Sequence, residues 1–177
     1  MDSDIMLERV YLTGFMGAGK STVGRRLADR LDWSWNDLDD IIERKEGRSI
    51  PEIFQEDGEG TFRELETSYL EEVSRRSAPF VLAVGGGAPA VKKNQTIMKE
   101  TGLDVFLKVP FEIAFERIRK DEHRPLVPDG PDARQKLRTL WEERKPIYEQ
   151  AEWIIDCGQR KPDTIAQEIE RKLRKRN

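Results

Sequence analysis

Gly14-Phe15-Met16-Gly17-Ala18-Gly19-Lys20-Ser21-Thr22 fills every fixed position of the phosphate-binding pattern G-x-x-x-x-G-K-[ST]. Its neighbours suit it. Val10-Tyr11-Leu12-Thr13, just before it, is β-branched and aromatic, as a strand would be. After it, Val23, Leu27 and Leu31 recur every four residues and predict a helix over residues 21–31. A strand that turns through glycines into a helix N-terminus is a cradle for phosphate. The glycines let backbone N–H groups converge with no Cβ in the way, and the helix dipole adds positive potential at the same point. Gly17, Ala18, Gly19, Lys20, Ser21 and Thr22 are therefore expected to hold a nucleotide. Lys20 would reach the β- and γ-phosphates, and the Ser21 hydroxyl would ligate Mg2+.

Downstream, short β-like runs alternate with helical patterns. Trp33-Ser34-Trp35-Asn36 reads as a second strand, and a helical pattern from Ile41 is stopped by Gly47. Ser49 is a candidate N-cap with Glu52 as capping-box partner. A longer helix is expected over about residues 60–75, with Phe62, Leu65, Tyr69 and Val73 on one face. Residues 80–84 are apolar without alternation and end in Gly85-Gly86-Gly87, which fits an interior strand of a parallel sheet. Further strands are expected at 103–109 and 153–155 and a helix over 111–120, with Ile165, Ile169 and Leu173 marking a closing helix. Strands separated by helices predict an α/β fold with a parallel sheet, whose strand order periodicity leaves open. Residues 121–132 hold Pro125, Pro128, Gly130 and Pro131 and cannot be the interior of a regular element. They fit either a solvated surface loop or a lid that closes over a ligand.

Composition narrows the classes. The 177 residues suit one domain, 1–177. With 31 Lys and Arg against 34 Asp and Glu, the net charge is −3, which offers no global field for nucleic acid. Mean hydropathy is −0.72. No apolar run approaches the roughly 18 residues of a spanning helix, and Met1-Asp2-Ser3-Asp4 lacks the basic start of a signal peptide. A cytoplasmic protein without membrane or nucleic-acid partners is expected. The single cysteine, Cys157, excludes an internal disulfide framework. The single histidine, His123, argues against a histidine metal site or a Ser-His-Asp triad.

The nucleotide loop leaves a switch GTPase, a motor-type ATPase and a small-molecule kinase open. No Asn-Lys-x-Asp guanine motif is present, and the apolar run 80–84 ends in glycine where an ATPase would carry a metal-binding Asp. Ile154-Ile155-Asp156 does end in Asp, but near the C-terminus. Asp37 is the better acidic neighbour for the metal. With Asp39 it forms a pair two residues apart, pointing the same way if the chain stays extended there. The alternative is an Asp-rich helix start favoured by the dipole. Arg63 and Glu66 are three apart on a predicted helix and can pair. Arg144 stands at a helix end just before Pro146.

Taken together, these residues resemble the shikimate kinase family over nearly the whole chain. The P-loop matches, and so does the Asp37-x-Asp39 pair followed by Ile42-Glu43. Gly47-Arg48-Ser49-Ile50-Pro51-Glu52-Ile53-Phe54 looks like the family's G-x-S-I-x-E-I-F, and Gly58-Glu59-Gly60-Thr61-Phe62-Arg63 followed by Glu66 looks like its G-E-x-x-F-R-x-x-E. The glycine triplet, Arg124-Pro125-Leu126 and Arg144-x-Pro146-x-Tyr148 match as well.

The resemblance implies a three-layer P-loop fold like that of nucleoside monophosphate kinases, with a central parallel five-stranded sheet. It implies a shikimate-binding segment over about 37–66 and a lid over about 117–132. Shikimate would be held by Asp39, Arg63, the backbone of Gly85, Gly86 and Gly87, and Arg144, with Phe54 and Phe62 as walls and Glu66 orienting Arg63. Lys20, Asp37 and Arg124 would be catalytic. Asp37 would sit with Ser21 by Mg2+ and the reacting hydroxyl, and Arg124 would close over the phosphates. Arg117 would stack near the adenine of ATP, with Arg160 beside it. The activity implied is transfer of the ATP γ-phosphate to the 3-hydroxyl of shikimate by a monomeric enzyme. Two other readings fit the same nucleotide loop: another small P-loop kinase, acting on gluconate or a nucleoside monophosphate, and an idle nucleotide-binding module. Val84 stands where many relatives carry a hydroxyl residue, and His123 inherits no role.

Overall fold

The computed structural model describes residues 8–77, 79–120 and 130–176. Its strands are β1 (Arg9–Thr13), β2 (Ser34–Asp37), β3 (Phe80–Ala83), β4 (Leu103–Lys108) and β5 (Trp153–Asp156). They form one sheet in the order β2-β3-β1-β4-β5 with every neighbouring pair parallel. The three inner strands are almost wholly buried, as their unbroken apolar runs require, while the edge strands β2 and β5 are half-exposed. The helices are α1 (Lys20–Leu31), α2 (Leu38–Glu46), α3 (Ile50–Ser74), α4 (Lys92–Thr101), α5 (Phe111–Lys120), α6 (Ala133–Tyr148) and α7 (Pro162–Arg174).

Side chains alternate across β1, so Val10 and Leu12 enter one core and Tyr11 the other. The first core takes α1, α5, α6 and α7, the second α2, α3 and α4. Two apolar layers on one buried sheet make the three-layer architecture expected. All strands run the same way, so the segments that leave the C-terminal ends of β1, β2 and β3 meet along one edge, where open α/β sheets bind ligands.

Several boundaries differ from expectation. The helix expected from Ile41 begins at Leu38, directly after β2, so Asp37-Leu38-Asp39 does not stay extended. The Asp-rich helix start is what forms: Asp37 is the N-cap, and its carboxylate accepts from the Asp39 N–H at 3.0 Å. Gly47 ends α2 at φ 65°, as expected. The Ser49–Glu52 capping box is present, but the helix it opens runs on to Ser74 and absorbs the one expected from residue 60. It is broken only at Gly58, where φ is 82° and ψ 170°. Helix α4 carried no apolar periodicity strong enough to predict it. Helix α6 runs through Pro146 to Tyr148, so Arg144 lies in its last turn and a half. The proline removes one N–H where few helical bonds remain to lose.

Candidate active site

The P-loop fills the gap between β1 and α1. Gly14, Gly17 and Gly19 have φ of 146°, 80° and 91°. At Gly17 a Cβ would stand 2.7 Å from the Ala114 carbonyl oxygen, so both backbone angle and space demand glycine there. The Lys20 ammonium donates to the carbonyls of Gly14 (2.7 Å) and Phe15 (3.1 Å), which holds it across the mouth of the loop.

Ser21 Oγ donates to Asp37 Oδ2 at 2.9 Å, so the P-loop hydroxyl and the carboxylate at the end of β2 share one point. These are hard oxygen donors of the kind Mg2+ takes one or two at a time, filling the rest of its octahedron with water and phosphate oxygens. Among the described residues no group of three or more His, Cys, Asp or Glu forms a cage for a metal. The donor set therefore fits an ion carried in with a nucleotide.

Asp39, one helical position past Leu38, turns inward. Its Oδ1 faces Gly85, where a Cβ would stand 3.2 Å away, and Glu66 Oε1 would lie 2.7 Å from the same Cβ. Only a glycine lets the two carboxylates flank the backbone this closely. Burial pushes the Asp39 carboxyl up to about 7, reinforced by the charges of Asp37 and Glu66. Glu66 is fully buried and its pKa is raised, first by burial and against the pull of Arg63. Its Oε2 accepts from Arg63 at 2.8 Å, while its Oε1 has no hydrogen-bond partner.

Arg63 reaches Glu59 at 3.3 Å and lies over the Phe62 ring at 5.2 Å. Its guanidinium carbon is 2.6 Å from where a Cβ at Gly87 would stand, so the cation rests on the bare backbone of the triplet. The expected Arg63–Glu66 pair is present and is no ordinary surface pair, because one partner is fully buried. Phe54 and Phe62 meet with ring centroids 4.8 Å apart, forming a wall beside Arg63. Arg144 comes from the far side: its Nη1 and the Tyr148 hydroxyl would each lie 3.5 Å from a Cβ at Gly86, with the Gly14 carbonyl oxygen at 3.6 Å. The triplet thus adjoins the P-loop.

Arg117 donates to the carbonyls of Gly17 (3.1 Å) and Gly158 (3.4 Å), bridging the P-loop to the turn after β5. Arg160 stands in that turn, but its guanidinium is bound to Asp156 O (2.7 Å) and Glu168 (2.6 Å) of α7 and does not reach the P-loop. Arg124, His123 and most of the expected lid, residues 121–129, lie outside the described residues. Cys157 is buried, with its thiol pushed up to about 12 by burial, and is chemically quiet.

Reading for chemistry missed the residues that hold the triplet. The Tyr148 hydroxyl donates to Gly86 O at 2.5 Å, and burial pushes it up to about 12, so it stays a donor. Asn94 and Gln95 donate to Ala88 O (3.0 Å) and Pro89 O (2.6 Å), gripping the turn after the triplet. For Tyr148 the signal was its spacing four residues after Arg144, which places both on one helix face. For Asn94 and Gln95 there was none.

The family model for shikimate kinase matches residues 16–174. The chain belongs to the shikimate kinase family. It is 38% identical over 170 residues to the shikimate kinase of Sulfurihydrogenibium sp. (strain YO3AOP1), covering 96% of this chain and all of that one. The solved shikimate kinase from Acinetobacter baumannii in complex with shikimate superposes with a TM-score of 0.89 at 40% identity, over 96% of this chain and 94% of that one. A deoxyadenosine kinase from M. mycoides, 15% identical with a TM-score of 0.57 over 94% and 99% of the two chains, shares the fold.

Proposed function

We propose that this chain transfers the γ-phosphate of ATP to the 3-hydroxyl of shikimate, giving shikimate 3-phosphate and ADP. The observation that carries it is the convergence of Arg63, Arg144 and Asp39 on Gly85-Gly86-Gly87, next to the P-loop. A ring acid with hydroxyls needs this set: two guanidinium groups for the carboxylate, a carboxylate for the hydroxyls, and bare backbone so that both come close. The Phe54–Phe62 wall covers the apolar ring edge.

ATP enters with its phosphates on the N–H groups of residues 17–22 and its adenine toward Arg117. Arg160, bound to α7, shapes the adenine side through its backbone turn. Ser21 and Asp37 would hold Mg2+, which would supply neutralisation of phosphate charge. The acceptor oxygen forms a bond to the γ-phosphorus as the bond to the β-phosphate oxygen breaks. The hydroxyl proton passes to Asp39, whose Oδ1 faces Gly85 and whose carboxyl is pushed up to about 7 by burial, while Asp37 keeps its place beside Ser21. Lys20 and Arg124 stabilise the charge that spreads over the transferred group, mainly by position. The chain is taken to work as a cytoplasmic monomer. No helix among the described residues is long and apolar enough to cross a membrane, and sedimentation velocity tests the monomer.

The deciding experiment is coupled ADP release with shikimate, gluconate and nucleoside monophosphates offered in turn. Turnover with shikimate alone is expected. Turnover with gluconate or a nucleoside monophosphate instead, or with none, overturns the reading.

A further inference from the structure

Phe54 and Phe62 are eight residues apart in one helix, and a straight helix would separate them by about 12 Å along its axis. Their rings are 4.8 Å apart. The chain closes that gap at Gly58, the one non-helical residue within α3, at φ 82° and ψ 170°. That combination is open essentially to glycine alone. A Cβ at Gly58 would meet nothing within 4 Å, so crowding is not what calls for glycine there; the backbone angle is. The break folds residues 50–57 back against residues 59–74. It also makes Glu59 the first residue of the second segment, from which it reaches Arg63 at 3.3 Å. Arg48 grips the end of the first segment through Glu56 (2.8 Å) and Asp57 (2.7 Å).

We infer that Gly58 is a positioning residue for the acid pocket: its turn sets the Phe54–Phe62 wall, and the Glu59 contact, against which Arg63 is aimed. The inference rests on the shikimate reading above. An alanine at 58 populates the folded-back form less, and the acid must bind that minority. The apparent affinity for shikimate falls by the populated fraction, while saturating shikimate restores the wall and with it the turnover.

The test measures KM for shikimate, KM for ATP and kcat in Gly58→Ala and Gly58→Asn. Asparagine's tolerance of positive φ belongs to the left-handed helical region, with ψ near roughly 47°, so at ψ 170° it gains little over alanine and serves as an independent second substitution. Gly102→Ala serves as a control for destabilisation away from the pocket: a Cβ there would stand 2.6 Å from the Arg9 carbonyl oxygen, at the opposite end of the sheet. Expected is a rise in shikimate KM of about fivefold or more for both substitutions at 58, with kcat and ATP KM within about twofold of wild type. Gly102→Ala should lower the melting temperature without moving shikimate KM. An unchanged shikimate KM in folded Gly58→Ala overturns the inference, as does a matching rise in Gly102→Ala. Should neither variant at 58 accumulate as folded protein, Glu59→Gln, which weakens the contact the turn sets up with Arg63, decides by the same criteria. Wild-type enzyme inactive on shikimate would instead defeat the proposed function, so the two failures are distinguishable.

Discussion

Arg63 and Glu66 show how one residue's role depends on another's burial. Glu66 is fully buried, and Arg63 neutralises it while facing the pocket. Removing the arginine leaves a buried carboxylate without its cation. Arg63→Ala is expected to abolish measurable shikimate binding in titration calorimetry while ATP binding survives, and to cost about 2–3 kcal/mol of stability. Arg144→Ala should also abolish shikimate binding and spare ATP binding. Intact shikimate affinity in both would remove the pocket assignment. A second buried carboxylate lies away from the site. Asp104 on β4 accepts from Thr13 Oγ1 at 2.9 Å, and burial pushes it up to about 6 from 3.8. The folded state therefore holds this proton more tightly than the unfolded chain. Stability from the group is present in full below about pH 4 and is lost as pH rises through 6. Asp104→Asn keeps the acceptor and removes the charge. It should melt higher than wild type at pH 7, by at most about 3 kcal/mol of stability, with the gap closing toward pH 4. A gap independent of pH would show that the ionised carboxylate is not the cause.

At the scale of elements, α1 must lie close to the sheet if its N-terminus is to face the P-loop. Gly24 is the contact: a Cβ there would overlap the Trp35 indole of β2 and stand 3.0 Å from Leu12 Cδ1. Glycine to alanine within a helix usually gains about 1 kcal/mol. Here the rigid indole must move, at about 1–3 kcal/mol. Gly24→Ala is expected to lower the melting temperature by a few degrees and to change tryptophan fluorescence; a higher melting temperature would contradict the packing. Helix α2 teaches a related lesson. Asp37 was legible as a metal neighbour and as a helix start; it forms the helix start, and its two oxygens serve different partners, one Ser21 and the other the Asp39 N–H. A carboxylate has lone pairs for two partners, and sequence spacing treats the two readings as alternatives only because it sees one residue at a time.

For the whole molecule, the charge of −3 averages over an uneven surface. Lys20, Arg63, Arg117 and Arg144 gather at the edge where β1, β2 and β3 end, with Asp37 and Asp39 among them. Ligands that join segments from both cores should stabilise the fold as a unit. At about 100 times its Kd, shikimate should add about 2.7 kcal/mol, a rise of roughly 5–10 °C in a domain of this size, and gluconate should add none. Local features follow from short stretches of the chain. The P-loop, the Gly47 stop, the capping box and the apolar strand at residues 80–84 depend on φ preferences, hydrogen bonds and periodicities that span a few neighbours. The strand order, the bare glycines between Asp39, Glu66 and Arg63, the Tyr148 bond to Gly86 and the fold-back at Gly58 emerge only once the chain is packed. Those contacts join residues as far apart as Val10 and Leu103, or depend on a backbone angle that a glycine permits but does not announce. Burial and approach distance arise only when the layers close on the sheet, and no periodicity encodes them.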